Sequence, residues 1–302
     1  MRRGWWAAVA LMAAGCAAQQ PEIVLPVKAA ALTPPCLVKY RDKVASAGAL
    51  GKLERDIGRY IARQSGRIVY SAQDLVTGIR LGHREHENGM ITASGAKVDI
   101  LTALLQRRSG LSGGESDLAS RMIRHSDNSA ADALWWRVGA GSGMGRFYRS
   151  AGLRETVPGP SKYWGGTNTS PADRIRLLKV LVRGGGSGLR TAERRLVLDL
   201  MGRVEPDQRW GVSAAARPGD RVALKNGWTP RPFIHNTWAV TSYGRITGPD
   251  RDLLMSVQTD LQAGEGSGIA AIEGLARLIG QRLDALRPMR TRPCAGLRGA
   301  QL

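Results

Sequence analysis

"MITASGAKVDILTALL", Met90 to Leu105, sets Ser94 and Lys97 three residues apart where an apolar run of helical period begins. Positions i and i+3 are neighbours on one helix face, so the two side chains meet if this segment is a helix. Outward from it, "SDLASRMIRHS" from Ser116 and the stretch from Ser129 to Val138 carry similar spacing. Ser170-Pro171-Ala172-Asp173 is a helix-start signature opening "ADRIRLLKVLVRG", and "TAERRLVLDLMGRV" is a further amphipathic helix. Upstream, Leu53, Ile57, Tyr60 and Ile61 predict a first helix over 50–64, and "RIVYSAQDLVTGIRLG" predicts a hairpin turning at 74–78. Downstream, "RVALKNGW", "TWAVTSYGRI" and "RDLLMSVQT" predict three strands, and "GIAAIEGLARLIGQRLDAL" a closing helix. Strands at both ends with helices between them predict an α/β (α+β) fold, in which one antiparallel five-stranded sheet is flanked by helices and a helical lobe is inserted.

The chain has 302 residues, 43% of them hydrophobic, enough for one sizeable core, and no low-complexity segment interrupts it. Its start, "MRRGWWAAVALMAAGC", is two arginines and an apolar run of about ten residues, too short to span a bilayer, which predicts a signal peptide over 1–15. Ala13-Ala14-Gly15-Cys16 resembles a lipobox and makes Cys16 the expected lipidation site, a plain cut after Ala18 being the alternative. The Ala/Pro-rich stretch that follows reads as anchor and tether over 16–45, ahead of a folded domain over 46–287 and a tail over 288–302. With Cys16 taken by lipid, Cys36 and Cys294 remain as an even pair. In an oxidising compartment they are expected to form a disulfide, against two free thiols.

The net charge of +19 comes from scattered basic residues, mostly arginine, without the block or aromatic-interleaved stripe of a nucleic-acid groove. An anionic cell wall or membrane surface is the better match, so no nucleic-acid partner is expected. His83 and His86 are i, i+3 neighbours and His125 abuts Ser126, but no cluster of carboxylates or cysteines joins them. Neither a metal nor an organic cofactor is expected. Trp135 and Trp136 read as packing residues, with a substrate-pocket wall as the alternative.

Ser-x-x-Lys alone is weak, because 19 serines and 8 lysines supply about 0.5 such pairs by chance. Ser126-Asp127-Asn128 is rarer, at about 0.016 expected from 19 Ser, 15 Asp and 5 Asn, although all three residues also favour plain helix caps and turns. Lys225-Asn226-Gly227 gains value from sitting inside a strand-like run. In this order the three motifs resemble those of class A β-lactamases and penicillin-binding proteins, and the chain is similar to actinobacterial lipoproteins and serine hydrolases carrying such a domain. The likeness covers roughly Leu50 to Leu286.

The resemblance implies that Ser94 is the nucleophile and Lys97 its base, that Ser126 passes a proton to the leaving nitrogen, and that Lys225 lowers the Lys97 pKa and attracts a substrate carboxylate. Asn128, Asn226, Gly227 and Trp228 are the implied substrate-binding positions, with the amides of Ser94 and Trp228 as oxyanion hole. Two departures stand out. Asn226 takes the place of a Thr or Ser, and "TVPGPSKYWGGTN" lacks the loop glutamate that activates the deacylating water in class A enzymes. Glu155 and Asp173 only flank that loop. The segment between Ser94 and Ser126 is also short, which predicts a reduced lobe and a more open site.

The expectation is therefore an exported serine hydrolase or acyltransferase, lipid-anchored outside the cytoplasm or secreted, and monomeric. It would act on an amide or ester, a β-lactam or a cell-wall peptide, through acyl-Ser94 with slow deacylation. The alternative is a non-catalytic envelope-binding lipoprotein that keeps the fold.

Overall fold

The computed structural model describes residues 37–41, 43–108, 110–160, 163–185, 188–286 and 289–293. The chain runs β1 (Leu37–Arg41), α1 (Lys43–Ala62), the hairpin β2 (Arg67–Asp74) and β3 (Arg80–His83), and a short β4 (Met90–Ile91). Four helices follow, α2 (Ala96–Arg107), α3 (Gly113–Arg124), α4 (Asn128–Arg137) and α5 (Ala140–Ser150), then a short β5 (Asn168–Thr169), α6 (Pro171–Arg183) and α7 (Thr191–Gly202). Three long strands, β6 (Arg221–Arg231), β7 (Thr237–Gly248) and β8 (Arg251–Gln262), precede α8 (Glu265–Arg282) and β9 (Met289–Pro293). The body covers residues 39–290; of a second unit the described residues are 37–38 and 291–293, and β1 pairs with β9.

The five-stranded sheet has the order β3-β2-β8-β7-β6, with every neighbouring pair antiparallel. The long strands at its centre are buried almost throughout, because helices cover both faces. On one face, Leu53 and Ile57 of α1 and Ile272, Leu275 and Ile279 of α8 pack on Tyr70, Val240, Met255 and Val257. On the other, α2 to α7 enclose Leu101, Leu104, Trp135, Phe147 and Leu178 over Tyr243 and Leu254. β6 is an edge strand, so one side of it is free of sheet neighbours.

Local chemistry explains the helix starts. Ser112 and Glu115 cap α3 reciprocally, and Ser170 accepts from Asp173 N at 3.1 Å ahead of Pro171 at the first turn of α6. α1 begins seven residues before the 50–64 span expected, within "KVASAGA", where small residues carry little periodic signal. α5 has no counterpart in the sequence expectation, since Gly141, Gly143 and Gly145 weaken it. Gly143 is there for packing: a Cβ would come within 1.8 Å of the Val138 carbonyl. The leader, Cys16, Cys36 and Cys294 lie outside the described residues. Among the described residues no helix is long and apolar enough to cross a membrane.

Candidate active site

Ser94 sits in a 3-10 turn, Ala93–Gly95, that leads directly into α2. Ala93 has φ of 45°, in the left-handed region that a residue with a Cβ rarely enters. Two glycines let this turn press against the sheet. A Cβ on Gly95 would lie 2.2 Å from Thr92 Oγ1, and one on Gly227 would lie 2.5 Å from the Thr92 carbonyl and 2.8 Å from the Ser94 amide nitrogen. Tyr243 of β7 fixes the same turn by donating its hydroxyl to the Gly95 carbonyl at 2.9 Å. The Lys-x-Gly motif on β6 therefore has a steric reason: only glycine lets that strand approach the Ser94 backbone.

Lys97, one turn along, is fully buried, and its Nζ lies 3.0 Å from Ser94 Oγ. The same amine donates to Asn128 Oδ1 at 2.7 Å, approaches Ser126 Oγ at 3.1 Å, and bonds the Ser126 carbonyl. Ser126 links α3 to α4 with φ of 58°, and this turn aims its hydroxyl between two lysines. Lys225 Nζ, from β6, stands 3.0 Å from Ser126 Oγ and also donates to the Asn226 carbonyl at 2.9 Å. Asp127 does what its type favours and caps α4, accepting from Ala130 N at 2.9 Å. Within Ser-Asp-Asn, the outer two residues face Lys97 and the middle one serves the helix.

Burial lowers the Lys97 pKa from 10.5 to about 7, while the charges of Asp127 and Asp132 act against that fall. Lys225 is pushed well below its usual range, first by burial and then by the charge on Lys97. Burial is the first cause of the fall at both lysines. Beneath α2, a fully buried Arg174–Asp99 pair at 2.6 Å, joined by the Tyr148 hydroxyl at 3.1 Å, ties α2 to α6 and α5.

Above Ser94 is a void of about 170 Å³ lined by Ser94, Asn128, Tyr163, Trp164, the Trp228 segment and Thr229. That is smaller than the roughly 300–1,000 Å³ of most ligand pockets. The reason is Trp164. Its ring lies 4.8 Å from Lys97 Nζ, and its indole N–H donates to Asp132 Oδ1 of α4 at 2.6 Å. An aromatic face with its one polar hydrogen already engaged occupies the loop position facing the lysine. The flanking carboxylates are held elsewhere: Glu155 pairs with Arg176 and accepts from Ser170 Oγ, and buried Asp173 accepts from the amides of Arg154 and Glu155 at 3.0 and 2.7 Å. Neither lines the void.

The structure thus brings Ser94, Lys97, Ser126, Asn128 and Lys225 together and sets Gly227 and Trp228 beside them. Asn226 points away: its amide donates to the carbonyls of Gln208 at 2.8 Å and Trp210 at 3.1 Å, leaving no donor for a ligand, and its Oδ1 is buried without a partner. Trp135 is buried in the helical core, whereas Trp136 is 60% exposed and lines no part of the void. His86 lies 3.4 Å from Glu155 and His125 lies 3.6 Å from Glu205. Among the described residues no three metal-ligating side chains cluster. Trp164, Asp132 and Thr229 escaped the sequence reading. Thr229 was within reach of it, because 225, 227 and 229 share one face of a strand.

Residues 115–283 match the model of the Beta-lactamase enzyme family, a span that takes in Ser126-Asp127-Asn128 and Lys225-Asn226-Gly227 and begins after Ser94 and Lys97. LppW of Mycobacterium tuberculosis and Mycobacterium bovis, provisionally named a lipoprotein, is 28% identical over 196 residues, 62% of this chain. The chain spans 61% of the length of these curated relatives. Among solved structures, that of PBP-A superposes with a TM-score of 0.67 at 20% identity, covering 78% of this chain and 97% of that one. A class A beta-lactamase from Mycobacterium abscessus gives 0.65 at 21% identity, covering 77% and 99%. At these identities the structures establish a common fold.

Proposed function

The chain belongs to the Beta-lactamase enzyme family, and on that premise we propose that it is a serine hydrolase or acyltransferase that attacks an amide or ester through an acyl-Ser94 intermediate. The observation that carries this reading is one buried amine, with pKa near 7, within 3.1 Å of both Ser94 Oγ and Ser126 Oγ. Neutral Lys97 takes the Ser94 proton as Oγ bonds to the carbonyl carbon. The proton passes through Ser126, which touches both lysines, to the departing nitrogen or oxygen as its bond to that carbon breaks. The amides of Ser94 and Trp228 receive the developing oxyanion, and Asn128 and Thr229 offer polar contacts to the acyl portion.

Release of the acyl group is slow in this scheme. Water attacking acyl-Ser94 needs a base beside it, and Trp164 covers Lys97 with a ring that accepts no proton. A β-lactam or a cell-wall peptide fits as acyl donor. Signal cleavage and lipid attachment at Cys16 would place the enzyme outside the cytoplasm on a membrane, as a monomer without cofactor. Labelling by a fluorescent penicillin, followed by denaturing electrophoresis, tests the reading: wild type is labelled and Ser94→Ala is not. Equal labelling of both, or of neither across a β-lactam and ester panel, leaves the non-catalytic envelope-binding lipoprotein as the better account.

A further inference from the structure

A second cavity, of about 620 Å³, opens between the C-terminal turn of α7 and the start of β6, and it shares no lining residue with the void above Ser94. The β6–β7 register puts Arg221 opposite Thr247 and Ala223 opposite Arg245. Side chains alternate along a strand, so Arg221 and Ala223 share the face that carries Lys225. Ala223 leaves a low floor, and Asp199, Arg203 and Arg209 complete the rim.

The charges in this groove do not balance. Arg245 is held by Asp252 through bonds of 2.7 and 2.8 Å, and Asp220 is taken by Arg251 at 3.0 Å. Arg203 donates from Nε only to the Asp199 carbonyl, at 3.3 Å. Arg209 and Arg221 are exposed, and among the described residues their guanidinium groups have no hydrogen-bonded or ion-paired partner. Among the described residues lining the groove, Asp199 is the one carboxylate left to offset Arg203, Arg209 and Arg221. A guanidinium fork matches the paired oxygens of a phosphate, and the cavity is of ligand size.

We infer that this groove binds a phosphate-bearing polyanion, its phosphodiester units seated between Arg203, Arg209 and Arg221. Arg221 precedes Lys225 by four residues, about 13 Å along the strand. A polymer held here can present an attached acyl donor to Ser94. That second step rests on the proposed function, whereas the binding does not.

Short-chain inorganic polyphosphate is the probe, titrated against the full chain by calorimetry at low and physiological salt. Four proteins are compared: wild type, Arg209→Gln/Arg221→Gln, Arg55→Gln/Arg149→Gln, and Ser94→Ala. The second pair removes equal charge from α1 and α5, at exposed residues that have no hydrogen-bonded or ion-paired side-chain partner among the described residues. The groove pair is expected to lose at least about tenfold in affinity and the control pair less than about twofold. Ser94→Ala binds as wild type does, so failure of the catalytic reading leaves the result standing. Equal losses in the two pairs, or no binding by wild type, overturn the site. Polyglutamate of matched length binding as tightly as polyphosphate overturns the phosphate assignment.

Discussion

Changing the pH tests the Lys97 base most sharply. Acylation needs Lys97 neutral, and burial sets its pKa at about 7. The neutral fraction is then about 9% at pH 6, about 50% at pH 7 and about 91% at pH 8, a tenfold rise across two units followed by a plateau. The second-order rate of labelling by a fluorescent penicillin, measured by stopped-flow or quenched gel from pH 5.5 to 9.5, should trace that curve. An ordinary lysine would give a rate still climbing about tenfold per unit at pH 9. Either that climb, or a rate flat from pH 6 to 8, refutes the argument from burial.

Lys97→Met should stabilise the fold near neutral pH. The folded pKa lies below the unfolded value, so between about 7 and 10.4 the unfolded chain binds more protons, wild-type stability rises with pH, and the full penalty applies below that window. A drop from 10.5 to about 7 is worth on the order of 5 kcal/mol, and unmatched Asn128 and Ser126 return about 1–3 of it. Urea unfolding should show Lys97→Met ahead by about 2 to 4 kcal/mol at pH 6 and behind by about 1 to 3 kcal/mol above pH 10; a variant weaker at pH 6 contradicts the assignment. Trp164→Glu sets a carboxylate over Lys97 and should shorten the acyl-enzyme lifetime by about 10² to 10⁴, while Trp164→Phe keeps it long. Unchanged release in Trp164→Glu would show that the indole does not govern access of water. For the Cys36–Cys294 disulfide we propose, non-reducing peptide mapping of exported protein should recover the link, and two alkylated free cysteines would exclude it.

The sheet was legible because β6, β7 and β8 carry strand-like apolar runs, β7 rich in β-branched residues, and the β2–β3 turn runs from Asp74 to Gly78. α5 was not, since its glycines answer to the Val138 carbonyl, a contact no periodicity reports. The site followed from motif order as far as identity went, yet the meaning of each letter depended on direction. Asn226 shares a motif with Lys225 and turns away from it, because neighbouring strand residues face opposite sides. Trp164 had no motif to announce it; its role arises from a loop folding back over Lys97 and fastening on Asp132, 32 residues earlier.

Intact mass spectrometry after minutes with excess penicillin tests the account at its centre. Wild type should carry one added drug mass that persists after the free drug is removed, located by peptide mapping on the segment containing Ser94, and Ser94→Ala should carry none. Rapid clearance of the penicillin with no adduct, or an adduct that survives Ser94→Ala, contradicts it.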